Sequence, residues 1–267
     1  MINRLCLFII LTGLMSSMNA LGQGQILIGS PQEEYLRRQQ LLGENDTLSS
    51  FMIRPLDAEL ADTAFYKNFK LTKWAKVSLL PVSVQTRYMD KHPYSWNDGS
   101  MLPLSGYQQL ASAGFALKAG PLHVQVYPEY HFAQNRPYEG FPLNAGNVLW
   151  ERYIRSQHNY IDRPESFGNG PISTFYLGQS SVKLDFGPVQ LGWSNENIYW
   201  GPGRRNSLLM SNNARGFEHL TINTKRPIKT PIGGFEFQFI GGRLEDSGFD
   251  PPNAFLVRNG NFVFRDR

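Results

Sequence analysis

PLHVQVYPEYHF, residues 121–132, alternates with a period of two. Leu122, Val124, Val126, Tyr130 and Phe132 fall on one side of an extended chain, and His123, Gln125, Tyr127, Glu129 and His131 on the other. A strand apolar on one face and polar on the other separates two media. The pattern recurs in SSVKLDFG (180–187), where Val182, Leu184 and Phe186 oppose Lys183 and Asp185, and in PVQLGWSNE (188–196), where Val189, Leu191 and Trp193 oppose Gln190, Ser194 and Glu196. In GFEFQF (234–239), Phe235, Phe237 and Phe239 oppose Glu236 and Gln238. A polar face that returns on strand after strand is what a wet lumen requires.

Three hairpins share one construction: GFALKAG then PLHVQVYPEY, SVKLDFG then PVQLGWSNE, and HLTINTKRPIKTPIG then GFEFQF, each joined by a brief Gly-Pro or Pro-Ile-Gly turn. Long segments alternate with these turns, namely residues 89–106 (MDKHPYSWNDGSMLPLSG) and the stretch from Asn135 to about Gly170. Short turns at one end and long loops at the other are the asymmetry of outer-membrane barrels. About eight strands are predicted, near residues 75–88, 107–119, 121–134, 172–186, 188–199, 217–227, 232–244 and 254–264. The expected fold is therefore all-β, a transmembrane antiparallel β-barrel built as a meander of hairpins. A soluble β-sandwich also alternates. Strands near ten residues or longer, charges such as Lys183 on the alternate face and aromatics near strand ends favour the barrel. Because the chain finishes FVFRDR without a terminal aromatic, the barrel is expected to be incomplete.

Upstream of the strands, MINR is followed by the apolar run LCLFIILTGLM, the small polar residues Ser16, Ser17 and Asn19, and Ala20-Leu21-Gly22. The run is shorter than the ~20 residues of a spanning helix, so residues 1–22 read as a secretory signal peptide cut after Gly22. The one cysteine, Cys6, lies inside it, which leaves the mature chain without a disulfide, thiol nucleophile or cysteine metal site. Residues 23–74 read as an N-terminal periplasmic segment with a short helix over PQEEYLRRQQLL (31–42), closed by Gly43. Residues 75–267 form the barrel. The net charge of +4 is scattered, which argues against a nucleic-acid partner. With 18 Phe, 12 Tyr, 25 Gly and a mean hydropathy of −0.34, the composition suits aromatic-rich strands and tight turns.

NIYWGPGRRNSLLMSNNARGFEHL, residues 197–220, gathers the side chains that handle sugars. Aromatic faces stack on pyranose rings and planar amides match pairs of hydroxyls. Guanidinium groups meet uronate or phosphate. Tyr199 and Trp200 are candidates for the first role, Asn206, Asn212 and Asn213 for the second, and Arg204, Arg205 and Arg215 for the third. Each has a plainer reading: Trp200 as an interfacial girdle residue, the glycines as turn formers, and the Asn pair as caps in a loop folded into the lumen.

Trp200 to Gly203, Asn206 to Leu208 and Ser211 to Ala214 resemble the hallmark of the Wzi capsule-assembly family. The signal peptide, the early helix, SFMIRPL at 50–56 and the hairpin series fit the same family. What the resemblance implies is a closed outer-membrane barrel with a helical portion on the periplasmic side. It implies a surface lectin that helps attach or assemble capsular polysaccharide, with outer-membrane lipid around it and no cofactor. The chain departs from that pattern in length.

No catalytic constellation emerges. His123 and His131, eight residues apart on one strand, are about 26 Å apart and read as solvated lumen residues. Asp185 and Glu196 stand at different distances from the Gly187-Pro188 turn, unlike the paired carboxylates of a glycosidase. Ser211 and His219 lack a nucleophile motif, and Gly201-Pro202-Gly203 lacks the lysine of a phosphate loop. The expected function is non-enzymatic polysaccharide binding at the cell surface, and the alternative is a general porin or solute channel.

Overall fold

The structure is a computed structural model. It describes residues 25–44, 50–57, 67–138 and 170–244, the last range without 205, 206 and 208, together with a few positions between 146 and 168. The predicted signal peptide and the predicted strand at 254–264 lie outside the described residues, as does most of the segment between Asn135 and Gly170.

The N-terminal part forms β1 (Gln25–Ile26), α1 (Pro31–Leu42), β2 (Ile53–Arg54) and β3 (Leu56–Asp57). The strands that follow are β4 (Lys67–Lys70), β5 (Ala75–Met89), β6 (Gly106–Ala119), β7 (Leu122–Val126), β8 (Glu129–Ala133), β9 (Ile172–Tyr176), β10 (Ser181–Phe186) and β11 (Val189–Ser194). The last are β12 (Tyr199–Trp200), β13 (His219–Thr224), β14 (Ile228–Thr230), β15 (Gly233–Phe235) and β16 (Gln238–Gly242). One antiparallel sheet runs in the order β16-β13-β11-β10-β7-β6-β5-β4, with β8 beside β6 and β9 beside β8. Among the described residues, no helix is long and apolar enough to cross a membrane.

The alternation seen in the sequence becomes two faces of opposite character, because directly opposed residues of antiparallel strands share a face. Leu122, Leu184, Leu191, Ile222 and Phe239 follow one another across the sheet, as do Leu79, Phe115 and Val126. All but the half-buried Leu122 are open: Leu184 is 40% exposed, Ile222 43% and Phe239 68%. The other face carries Gln108, Gln125, His131, Lys183, Gln190, Ser194 and Thr221, all buried. In a water-soluble sheet the arrangement would be reversed, since burying apolar surface is what stabilises it.

Three predicted strands are interrupted. Residues 121–134 divide into β7 and β8 at Tyr127-Pro128, and 172–186 divide into β9 and β10 at residues 177–180. Pro128 has no amide hydrogen for the ladder, and the two breaks lie side by side: Gln179 N donates to Tyr127 O at 2.9 Å. Glycine is needed there. A Cβ on Gly114 would stand 1.9 Å from Val126 O, and one on Gly178, at φ +58°, would stand 2.4 Å from Tyr127 O. Residues 232–244 divide as well, β15 pairing with β14 and β16 with β13. The strand predicted over 188–199 ends at Ser194, and the chain turns off onto the polar face. At the other end, β4 adds to the sheet ahead of Ala75.

The polar face is covered, chiefly by the N-terminal part. Ile26, Leu36, Phe51 and Leu56 pack in one cluster with Leu80, Ala116 and Tyr127 of the sheet. Tyr127 Oη donates to Pro81 O at 2.7 Å, at the register shift of β5 between Leu80 and Ser83. Helix α1 starts where Ser30 accepts from Glu33 N and ends at Gly43 with φ +70°. Only Leu36 of its apolar residues is buried.

Candidate functional site

β11 ends at Ser194, and the next five residues, Asn195 to Tyr199, are all buried. Their polar groups take partners from the sheet. Glu196 receives Lys183 Nζ at 2.6 Å, Ser181 Oγ at 2.8 Å and Ser194 Oγ at 3.0 Å. Asn195 Nδ2 donates to Gly178 O, while Asn197 and Gln179 exchange two hydrogen bonds of 2.9 and 3.1 Å. Asp185 is held apart from Glu196 by its own partners, Lys225 at 2.7 Å, Gln190 at 2.9 Å and His123 at 2.9 Å. Asp185 and Glu196 thus belong to separate hydrogen-bond groups. The expectation that His123 and His131 are solvated is corrected: His123 pairs with Asp185, and His131 is fully buried with Nε2 3.3 Å from Gln108 Oε1. The N-terminal part and residues 195–199 pack on the polar face of the sheet.

The Trp-Gly-Pro-Gly stretch is a docking site for the N-terminal part. Tyr199 and Trp200 in β12 pair with Arg54 and Ile53 in β2. The buried Arg54 guanidinium donates from Nη2 to Gly201 O at 2.9 Å and Gly203 O at 2.8 Å, and from Nη1 to Glu33 Oε1 at 2.7 Å. It also lies over the Tyr199 ring, 3.8 Å from its centroid. Gly201, at φ +100°, lets the turn aim two carbonyls at one cation. Arg37 Nη1 reaches Pro202 O at 3.2 Å. Sequence reasoning assigned SFMIRPL to the same family and missed this role of its arginine. The signal was a lone cation among apolar residues, which if buried demands a carboxylate and carbonyls.

The candidate sugar-binding residues separate accordingly. Tyr199 is 1% exposed beneath Arg54, so its ring is not offered to a ligand. Trp200 is partly buried, and its Nε1 donates to Gln238 Oε1 at 2.7 Å. Asn212 accepts from Asn197 Nδ2, and its own Nδ2 donates to Asn97 O at 3.1 Å. Asn213 Oδ1 accepts from Asn97 N at 2.7 Å. Arg204 is exposed and pairs with Glu34 at 2.9 Å, and Arg215, also exposed, lies 4.9 Å from the Tyr176 ring centroid. Arg205 and Asn206 lie outside the described residues. A cavity of about 230 Å³ brings together Tyr199, Arg204 and Asn212 with Arg37, Arg54 and Asn97. Two buried donors of its walls, Tyr199 Oη and Arg54 Nε, have no hydrogen-bond partner among the described residues. The same wall carries Glu33 and Glu34, which pair with Arg37, Arg54 and Arg204, so three guanidinium groups face two carboxylates and the cavity has a single positive charge in excess.

These features define a class: an antiparallel sheet with an apolar open face and a polar face filled by the protein's own segments, clamped by one glycine-rich turn. A family model described as capsule assembly protein Wzi matches residues 106–264, well over half of the chain, and the chain belongs to that family. The match includes all of residues 197–220 and stops short of the N-terminal part that Arg54 anchors. No curated protein and no solved structure matches the chain.

Proposed function

We propose that this protein resides in the bacterial outer membrane, binds polysaccharide, and assists assembly or attachment of capsule or exopolysaccharide without catalysing a reaction. The observation that carries the proposal is the inverted sheet of a capsule-assembly family member, with leucine, isoleucine and phenylalanine open on one face and glutamine, lysine and histidine buried on the other. Lipid is the solvent that suits the open face. Closure of the sheet into a barrel belongs to this proposal, since an open strand edge in hydrocarbon costs several kcal/mol for each unpaired backbone group. The glycan would meet Trp200, Arg204 and Arg215, with Tyr199, Asn212 and Asn213 supporting them, and Arg205 and Asn206 remain candidates by residue type.

Two features support binding over catalysis and over free diffusion. Glu196, Asp185 and Glu129 are each engaged by neighbouring side chains, and His219 is buried with Nδ1 2.7 Å from Phe217 O. The polar face is occupied where a channel would need water. Reconstitution of the protein in a planar bilayer tests the reading against the porin alternative. A closed conductance trace together with retention of capsular polysaccharide on immobilised protein is expected. A steady open pore with no glycan retained would replace this function with that of a channel.

A further inference from the structure

The segment between β5 and β6 carries a second concave surface, outside the family segment. A cavity of about 430 Å³ opens at the end of β5, walled by Arg87, Tyr88, Asp90, His92, Tyr94 and Trp96. Its size is that of a small-ligand site. Tyr88, Tyr94 and Trp96 are 61%, 64% and 53% exposed. Tyr94 and Trp96 offer flat apolar faces to the hollow, with Asp90 and His92 also exposed at its wall, while Tyr88, opposite Tyr107, stands on the apolar face of β5. Arg87, the cation at its base, is already paired with Asp98. With Asp90 beside that pair the hollow has no excess of positive charge, whereas the 230 Å³ cavity sets three arginines against two glutamates.

The loop bearing the rings is fixed in place by the family segment. Asn97 N donates to Asn213 Oδ1, Asn212 Nδ2 donates to Asn97 O, and Gly99 N donates to Asn212 O at 2.8 Å. All three bonds fall on the Ser-Asn-Asn-Ala stretch, and Trp96 N is further held by Asp98 Oδ2 at 2.7 Å. A platform held this way loses little freedom when a ligand settles on it. The two asparagines therefore serve as positioning residues, with their amides turned to the loop.

We infer that the 87–98 loop is a second polysaccharide subsite, taking an uncharged pyranose residue whose C–H face lies on Trp96 and Tyr94 while its hydroxyls meet Asp90 and His92. This rests on the polysaccharide-binding reading above. Uronate or phosphate groups of the same chain are left to the arginines of the family segment.

The test uses the full protein folded in detergent and, as probe, capsular polysaccharide purified from the producing strain. Trp96→Ala and Tyr94→Ala are expected to weaken binding roughly tenfold or more, as truncation of an aromatic anchor does. Asn213→Ala should weaken it through the loop, and Asn213→Asp, which keeps the oxygen that accepts from Asn97, should restore it. If the unaltered protein binds and neither aromatic replacement changes its Kd, the subsite is wrong while polysaccharide binding stands. If the unaltered protein does not bind, both fall together. Tryptophan quenching by lipids brominated on their acyl chains should be the same in Trp96→Phe as in the parent. Quenching lost in Trp96→Phe would put the ring in the membrane interface and overturn the subsite.

Discussion

Lys183 and Glu196 face each other at 2.6 Å with side chains 6% and 2% exposed, a charge pair withdrawn from water inside a sheet. Such a pair contributes little beyond an apolar substitute of the same shape, yet leaving one member alone is costly. Lys183→Met should therefore lower stability by about 3–5 kcal/mol, and the double replacement Lys183→Met with Glu196→Gln should recover much of it. The urea midpoint of the detergent-folded protein measures both, and equal losses in the two variants would show that the pair is not coupled. Arg54 has the same character with one difference. Its partners, Glu33 and the carbonyls of Gly201 and Gly203, belong to separate parts of the chain. Arg54→Ala should thus release the N-terminal part in preference to unfolding the sheet. Limited proteolysis is expected to cut residues 25–57 of the variant early while the strands survive. An unchanged digestion pattern would mean that the cluster around Ile26, Leu36 and Tyr127 holds that part unaided.

At the scale of elements, the strands were legible because their alternation is a direct consequence of facing two media. Their interruptions were not. Pro128 and Gly178 are visible as residues, but the sequence does not say that their two breaks lie side by side, which is a matter of register between strands some fifty residues apart. The helix over 31–42 and its Gly43 cap were readable locally, whereas its docking was not, because only Leu36 of its apolar residues turns inward. The candidate site divides in the same way. The residue types in 197–215 were evident, but Tyr199 is oriented by Arg54, and Asn212 and Asn213 by Asn97, more than a hundred residues away. The open face of the strands offers its own test. Leu184→Arg is expected to destabilise by up to about 2–4 kcal/mol if this position sits near mid-bilayer depth, whereas an exposed site in water would tolerate it within about 0.5 kcal/mol. Loss of the heat-modifiable band in Leu184→Arg, with Gln85→Arg as a control on the strand β5, reports which solvent the face meets.

For the whole molecule, the sheet and its filling suggest a division of labour. In the proposed reading the apolar face meets lipid; buried ion pairs and amides fix the polar face, and the segment 197–220 joins the N-terminal part, that face and the loop at 87–98. Membership in the capsule assembly protein Wzi family gives this arrangement its biological direction. The strand edges β4 and β16 have one neighbour each among the described strands, and the proposed closure is expected to give a boiling-dependent shift in gel mobility. The central claim, that the protein keeps polysaccharide at the cell surface, is tested most directly by the partition of capsule in the producing strain. Polysaccharide is quantified in washed cells and in the medium, with the gene deleted and with it restored. Deletion is expected to move capsule from cells to medium and restoration to return it; a deleted strain that keeps its capsule on the cell in the parental amount would contradict retention by this protein.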